Sequence, residues 1–535
     1  MGAATVFAPA AGAAGRAALA VVRASGPGAG PALRALLRAP AASPGAGPSS
    51  SGALRLPPPR RLALRELRCP RTGEVLDRAC VAWLPGPRTY TGEDSFELYL
   101  HGGRAVLQGV LGALGSLEGL RPAEPGEFAR RAFLAGKVGL TELEGLADLL
   151  AAETAAQRRH ALALEGGAAT RALARWRVAL VRARAQLEAR LDFSDEDLGD
   201  GEGVSGASGA LSWDPSWGSS RSEAEVVLRE VREAADDGGR AAALVGGLGI
   251  LLAGRPNAGK SSLLNALSGT EAAIVHAEAG TTRDVLHVPV DLGGFKCVLT
   301  DTAGLRAGGE VGEVEAEGVR RAQLEGQKAH VRVFVLDAAS PELFERSKAG
   351  SGLRYRPGTL GRAAAELSKG FLVGEVLPDR ALEAHRTIFA LNKGDLLTDA
   401  LRRELEAAAA AELGRSGQKS VLLSCLTGAG TEALLQELTE SASSWFEEDG
   451  AGEGACSAAG GPAPPNAVSL FHRERQRRRL AECAERLEAA LESEAGLEVA
   501  AEELRLAVDA LGRVAGIVDP EEVLGAIFAE FCIGK

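Results

Sequence analysis

With 535 residues the chain has room for about three domains, and a formal net charge of −11 excludes a nucleic-acid footprint spread over the whole surface, so any such surface is local. No apolar stretch reaches the ~18 residues of a membrane span. Seven cysteines, at 69, 80, 297, 425, 456, 483 and 532, form no C-x-x-C pair, and their odd number argues for reduced thiols against a disulfide framework or structural zinc.

Taken in chain order, residues 81–84 and 96–100 read as short strands with turns between them. His101, before Gly102-Gly103 at a strand end, reads as a turn residue, and no second histidine lies at metal-ligand spacing. Residues 128–191 carry Leu140, Leu143, Leu146 and Leu150 at spacings of three and four, a helical pattern interrupted at Gly166-Gly167. Residues 195–220 and 447–465 are rich in Gly, Ser, Asp, Glu and Pro and read as linkers or flexible insertions. Helical periodicity returns at 468–491 and 500–514. Two helical blocks flanking a central segment imply one discontinuous helical domain with another domain inserted. The run His472-Arg473-Glu474-Arg475-Gln476-Arg477-Arg478-Arg479 places five arginines on one helix, either a solvated face or a contact for RNA phosphates.

The central segment carries the chemistry. Gly254-Arg255-Pro256-Asn257-Ala258-Gly259-Lys260-Ser261 fits the pattern G-x-x-x-x-G-K-[ST], after the apolar run 248–253 and before a helical stretch opening at Ser262. That strand-loop-helix context is what the motif requires. Its glycines let backbone N–H groups approach phosphate oxygens, Lys260 and the helix N-terminus add positive potential, and Ser261 suits Mg²⁺. Asp301-Thr302-Ala303-Gly304 follows the strand-like 297–300, so Asp301 sits where it can hold the metal's water shell and Gly304 where it can meet a γ-phosphate. Alone, that tetrapeptide is an ordinary Asp-initiated turn. Asn392-Lys393-Gly394-Asp395 follows the apolar 388–391, and a carboxylate there accepts the paired N–H donors of guanine that adenine lacks. Ser424-Cys425, after 421–423, closes the base pocket with backbone donors. The order and spacing of the four signals point to GTP binding and hydrolysis. Leu305 stands where many small GTPases have a water-orienting glutamine, so hydrolysis needs another arrangement. Asn257 and residues 276–282 are candidates to cradle a monovalent cation.

Residues 254–265, Gly280-Thr281-Thr282-Arg283-Asp284 and the ending Phe531-Cys532-Ile533-Gly534-Lys535 make the chain resemble the MnmE (TrmE) family of tRNA-modification GTPases over nearly its whole length. Leu423-Ser424-Cys425-Leu426-Thr427-Gly428 and Arg121-Pro122-Ala123-Glu124 resemble the mitochondrial branch. The resemblance implies a multidomain α/β protein. Its parts are an α+β folate-binding and dimerisation domain (1–127), a discontinuous α-helical domain (128–245 and 468–535) and an inserted Ras-like P-loop GTPase domain (246–447), with a linker at 448–467. It implies K⁺ held by Asn257, His276, Glu278 and Thr281 in place of an arginine finger, Mg²⁺ on Ser261 and Thr282, and G-domain pairing during hydrolysis. His276 and Glu278 depart from the bacterial side chains; ligation through backbone carbonyls tolerates this, while Glu278 adds a charge. Within Glu313-Val314-Glu315-Ala316-Glu317-Gly318 the family register selects Glu315 as the water-orienting residue, with a helix-surface carboxylate as the other reading.

Tyr90-Thr91-Gly92-Glu93-Asp94, His101-Gly102-Gly103 and Pro125-Gly126-Glu127-Phe128 through Lys137 resemble the family's N-terminal domain. There Arg23, Glu97 and Lys137, with Lys535, match contacts to a reduced folate. The cations suit a glutamate tail and the carboxylate suits the pterin's N–H donors, whereas each charge alone reads as a solvated surface group. Cys532 has two readings, a nucleophile if a neighbouring cation lowers its pKa, or a filler of an apolar slot with Phe531 and Ile533. The resemblance further implies an FAD-containing MnmG-like partner, a homodimer, and tRNA as substrate, modified at carbon 5 of the wobble uridine with a carboxymethylaminomethyl or taurinomethyl group. A ribosome-assembly GTPase or a non-catalytic GTP-dependent scaffold would keep the same nucleotide motifs. No acidic residue precedes Glu66 and arginines are frequent there, a composition that points to the mitochondrial matrix, although residues 5–27 already resemble the family's first strand and leave little room for a removable presequence.

Overall fold

The structure, a computed structural model, describes residues 4–11, 17–37, 56–194, 219–270, 272–274, 287–301, 329–346, 353–372, 386–414, 418–447, 470–492, 496–517 and 534. The chain divides into two compact units, one made of Met1–Leu150, Leu162–Arg232 and Arg478–Lys535, the other of Ala151–Ala161 and Glu233–Arg477.

In the first unit, β1 (Thr5–Ala11), β2 (Leu19–Ser25), β3 (Leu62–Arg68), β4 (Val75–Leu84), β5 (Ser95–His101) and β6 (Leu120–Pro122) form one sheet in the order β3-β4-β5-β2-β1-β6. Only the β1/β6 pair is parallel. Alternation along the strands sends Val22, Ala24, Val81, Leu98 and Leu100 into a core with the helices Ala29–Leu37 and Arg104–Gly115. Arg23, Glu97 and Tyr99 point to the opposite face, and Arg23 is in direct register with Glu97. The expected break at Gly166-Gly167 is present, with Gly167 at φ 77, separating the helices Ala155–Glu165 and Ala168–Ser194.

The run 128–191 is interrupted more often than its leucine spacing suggests. Gly136, at φ 65, ends the turn after Glu127–Leu134. Another break has a capping box behind it: the Gln157 N–H donates to Thr154 Oγ1 at 3.4 Å while Gln157 Oε1 accepts the Thr154 N–H at 3.1 Å.

The second unit holds β7 (Leu248–Gly254), β8 (His287–Leu292), β9 (Phe295–Asp301), β10 (Val331–Asp337), the hairpin strands β11 (Phe344–Arg346) and β12 (Leu353–Tyr355), β13 (Arg386–Asn392) and β14 (Lys419–Leu422). Its main sheet runs β14-β13-β10-β7-β9-β8, parallel except for the edge strand β8. The inner strands are near-continuous apolar runs because both faces are covered, Ile250, Leu252, Val333 and Ile388 lying in one core and Leu251, Ala253, Phe334 and Phe389 in the other. Ligands of such sheets bind outside the carboxyl ends of the strands, and there lie the loops after β7 and β13 and, at the end of β9, Asp301.

The arginine run does not form a bare cationic face. Arg478 is exposed, but Arg473, Arg475, Arg477 and Arg479 are half-buried. A Cβ at Gly238 would lie 2.5 Å from Arg477 Cδ, so the stem of that arginine is packed, and Arg479 pairs with Glu482 at 2.6 Å. Gln476 and Leu480 form the buried face of the same helix, and the half-buried arginines flank it. Most of the two presumed linkers lies outside the described residues.

Candidate functional site

The loop after β7 is shaped for close backbone approach. A Cβ at Gly254 would stand 2.3 Å from the Val335 carbonyl of β10, so the strand end admits no side chain there. Asn257 (φ 61) and Gly259 (φ 98) turn left-handed, and Gly259 caps the N-terminus of the helix Lys260–Ser268. Lys260 is buried, its Nζ donating to the Gly254 and Arg255 carbonyls at 3.0 Å each, which curls the loop around its ammonium group. The N–H groups of a helix N-terminus together with that cation form an anion cradle. Ser261 and Ser262 stand exposed at its mouth, and Ser261 Oγ donates to Oδ2 of the fully buried Asp301 at 2.7 Å. A hydroxyl and a carboxylate held side by side make a hard-oxygen pair that fits Mg²⁺. Ser261 would hold the ion directly and Asp301 through its water shell, and the ion would supply neutralisation of phosphate charge.

The loops after β13 and β14 are locked to this cradle by one side chain. Asn392, 3% exposed, donates from Nδ2 to the Ala258 carbonyl at 3.0 Å, and its Oδ1 accepts the Cys425 N–H at 3.1 Å. Three predicted segments thus meet at a single amide. Asp395 is half-buried, with Oδ1 accepting the Ser424 hydroxyl at 2.5 Å. The buried Ser424 also accepts the Thr427 N–H at 3.3 Å, and Gly394 N–H donates to the Leu423 carbonyl at 2.9 Å. Burial pushes the Cys425 thiol up, which keeps it neutral beside Asp395.

In the first unit, Arg23 and Glu97 are brought together but engage one another, Nε lying 2.9 Å and an Nη 2.8 Å from Oε1. The Tyr99 hydroxyl donates to Oε2 at 2.7 Å, and that bond, with burial, raises the pKa of the phenol. Lys137 is exposed, and a Cβ at Gly92 (φ 78) would lie 3.2 Å from its Cε, so the turn 90–94 leaves room for the lysine stem. Beneath that turn, Glu93 accepts the Ser25 hydroxyl at 2.7 Å and both of its oxygens face Arg131 at 3.1 Å. Arg131 passes on to Glu127, which Arg121 grips with bonds of 2.8 and 2.7 Å. Although burial opposes it, these bonds hold the Glu127 carboxyl below its ordinary pKa. Gly534 is buried against β1, where a Cβ would meet the Pro9 carbonyl at 2.3 Å.

Among the predicted residues, His276, Glu278, Thr281, Thr282, Thr302, Ala303, Gly304, Glu315, Cys532 and Lys535 lie outside the described residues.

Residues 5–137 match the family described as GTP-binding protein TrmE N-terminus, and residues 140–532 match that described as MnmE helical domain. Over 536 residues the chain is 42% identical to the tRNA modification GTPase MnmE of Methylorubrum populi, covering 99% of this chain and 98% of that protein. The chain belongs to the MnmE family of tRNA-modification GTPases. It is also 41% identical to the mitochondrial 5-taurinomethyluridine-tRNA synthase subunit GTPB3 of Rattus norvegicus and 40% identical to that of Homo sapiens, each over 99% of this chain and 93% of the relative. As a family member it is a GTP-hydrolysing enzyme with an N-terminal domain, a helical domain and a Ras-like P-loop GTPase domain.

Sequence reasoning missed two residues that shape the family's guanine loop here. Arg402 donates from Nε to the Gly394 carbonyl at 2.8 Å, and Asp337 lies 2.6 Å from Lys393 Nζ. Neither belongs to a motif, and only the strand register or a following helix delivers them.

Proposed function

We propose that this protein is the GTP-hydrolysing component in the modification of the wobble uridine of tRNAs at carbon 5, acting with an FAD-containing MnmG-like partner. The observation that carries this reading is whole-length similarity to proteins named for tRNA modification, in a chain whose nucleotide cradle is intact from Gly254 to Ser261 and tied through Asn392 to the base loops. In this proposal GTP hydrolysis is a switch. Its γ-phosphate orders the segments around Thr282 and Thr302 and Gly304, and loss of the phosphate releases them.

The proposed hydrolytic apparatus is K⁺ on Asn257, His276, Glu278 and Thr281, Mg²⁺ on Ser261 and Thr282, and a water oriented by Glu315. The left-handed turn at Asn257 supports the first element, since it exposes that side chain at the loop's rim. A reduced folate is proposed on the open sheet face, at Arg23, Glu97 and Lys137 with Lys535 and Cys532 from the tail. Support comes from the adjacency of Arg23, Glu97 and Tyr99 and from the seat of Gly534 on β1. The domains are proposed at 1–127, 128–245 with 468–535, and 246–447, with homodimerisation through the first. The mitochondrial matrix is the proposed compartment, supported by the acid-free stretch before Glu66 and by the mitochondrial relatives, and there the added group would be taurinomethyl.

Two measurements test the reading. GTP turnover in KCl against NaCl at equal ionic strength, with Glu315→Ala alongside, should be K⁺-selective and lost in the variant while nucleotide binding persists; turnover indifferent to the cation overturns the potassium mechanism. Mass spectrometry of tRNA nucleosides after depletion should show loss of the C5-modified wobble uridine. An unchanged nucleoside profile with defective ribosome assembly would instead assign the protein to the assembly GTPases.

A further inference from the structure

Lys393, the cation inside the guanine motif, is anchored from outside it. Its backbone is left-handed (φ 65), and its Nζ lies 2.6 Å from Oδ2 of Asp337. Asp337 closes β10 in register with Asn392 at the end of β13. Its other oxygen accepts the Ala339 N–H at 3.0 Å, and the Ala338 N–H between them donates to the Asn392 carbonyl at 2.8 Å. The carboxylate is therefore fixed by its own backbone turn, with one oxygen left to face Lys393.

We propose that Asp337 is a positioning residue for guanine-nucleotide binding, resting on the reading of 392–395 as the guanine loop. It pins the Lys393 ammonium at the end of β10, so that the lysine's four methylenes are stretched between that point and the loop backbone and form one wall of the base pocket before nucleotide arrives. A free lysine loses rotamer entropy on ordering. A pinned one has lost much of it in advance, and that preorganisation appears as affinity. Both side chains are about one-third exposed, at 33% and 32%, so the Coulomb attraction itself is modest. The same pair also neutralises a carboxylate that would otherwise stand uncompensated beside an anionic ligand.

The test is a double-mutant cycle on the full-length protein, reading the Kd of GDP and GTP by displacement of a fluorescent nucleotide, and KM and kcat for GTP. Asp337→Asn keeps the acceptor for the Ala339 N–H and removes the charge. It should raise Kd and KM about threefold to tenfold, the range set by lysine ordering, with a smaller change in kcat. Lys393→Met should weaken binding at least as much, and the double variant no more than Lys393→Met alone, because the two act as a unit. Asp337→Glu, which keeps the charge, should recover part of the loss and serves as the second variant if Asp337→Asn folds poorly. Additive effects in the cycle, or an Asp337→Asn affinity equal to that of the parent while Lys393→Met is weakened, overturn the proposal. If Lys393→Met also binds normally, the reading of the guanine loop fails with it.

Discussion

Replacing Asn392 by alanine removes a side chain that ties the phosphate loop to both base loops, and the structure sets the size of the effect. The Ala258 carbonyl loses its Asn392 donor at a site where Ala258 is 3% exposed, and an unsatisfied buried acceptor costs about 1–3 kcal/mol. The Cys425 N–H is half-buried, so water recovers part of its bond and the net loss there is about 0.5–1.5 kcal/mol. Together these give about 1.5–4.5 kcal/mol, or roughly tenfold to a thousandfold if expressed wholly as nucleotide affinity. Part will appear instead as a lower thermal midpoint, since the bonds exist without ligand. The assay is therefore the Kd of fluorescent GDP together with the melting of the apo and GDP-bound protein. Asn392→Asp sharpens the test. The Cys425 N–H only donates and the Ala258 carbonyl only accepts, which fixes the orientation of the amide. An aspartate would aim a carboxylate oxygen at the Ala258 carbonyl and should be worse than alanine. An Asn392→Ala protein whose affinity and melting both stay at parental values would refute the argument, and a milder Asn392→Asp would refute the assigned bond directions.

Other regions give equally direct expectations. Burial holds His160 down to about 4, and burial with His160 and Arg473 alongside holds His472 to about 3, against about 6.5 in an unfolded chain. Both folded values are depressed, so the unfolded state binds more protons between about pH 4 and 6.5, and the stabilisation complete above pH 6.5 is lost as pH falls, by up to about 1.4 kcal/mol per pH unit for each histidine. A His160→Leu/His472→Leu protein should lose much less melting temperature between pH 7 and pH 5 than the parent, and parallel curves would contradict this. Gly534→Ala, at φ 103 with its Cβ 2.3 Å from the Pro9 carbonyl, should displace residue 534 from β1; carboxypeptidase should then digest the variant faster, and equal digestion rates would count against the seating of Gly534. Lys296 and Glu153 pair at 2.6 Å with only about one-fifth of each side chain exposed, next to the Ala156 N–H bond to Gly294. Lys296→Ala should lower stability by about 1–3 kcal/mol, and an unshifted midpoint would show that the pair contributes nothing.

What was legible in the sequence depended on how local the cause was. The phosphate loop could be read because left-handed turns at Asn257 and Gly259 and the lysine at the helix start are all imposed within a few residues. The inner strands of the parallel sheet were visible as the apolar runs 248–253 and 388–391, which need cover on both faces, while the sheet itself came only with the family resemblance. The capping box at Thr154 and Gln157 was equally local, and the leucine spacing across it obscured the signal. Charge composition records the number of cations in the arginine run and not the helical phase that half-buries four of the five beside Gln476 and Leu480. Asp337 and Arg402 were beyond reach for another reason. Asp337 meets Lys393 only because β10 and β13 are parallel neighbours in a register that aligns Asp337 with Asn392, although a hairpin and a helix separate the two strands in sequence. A motif names the residues whose chemistry meets the ligand. The residues that hold those groups in place are supplied by topology: the register of one strand pair delivers Asp337, and the helix after β13 delivers Arg402.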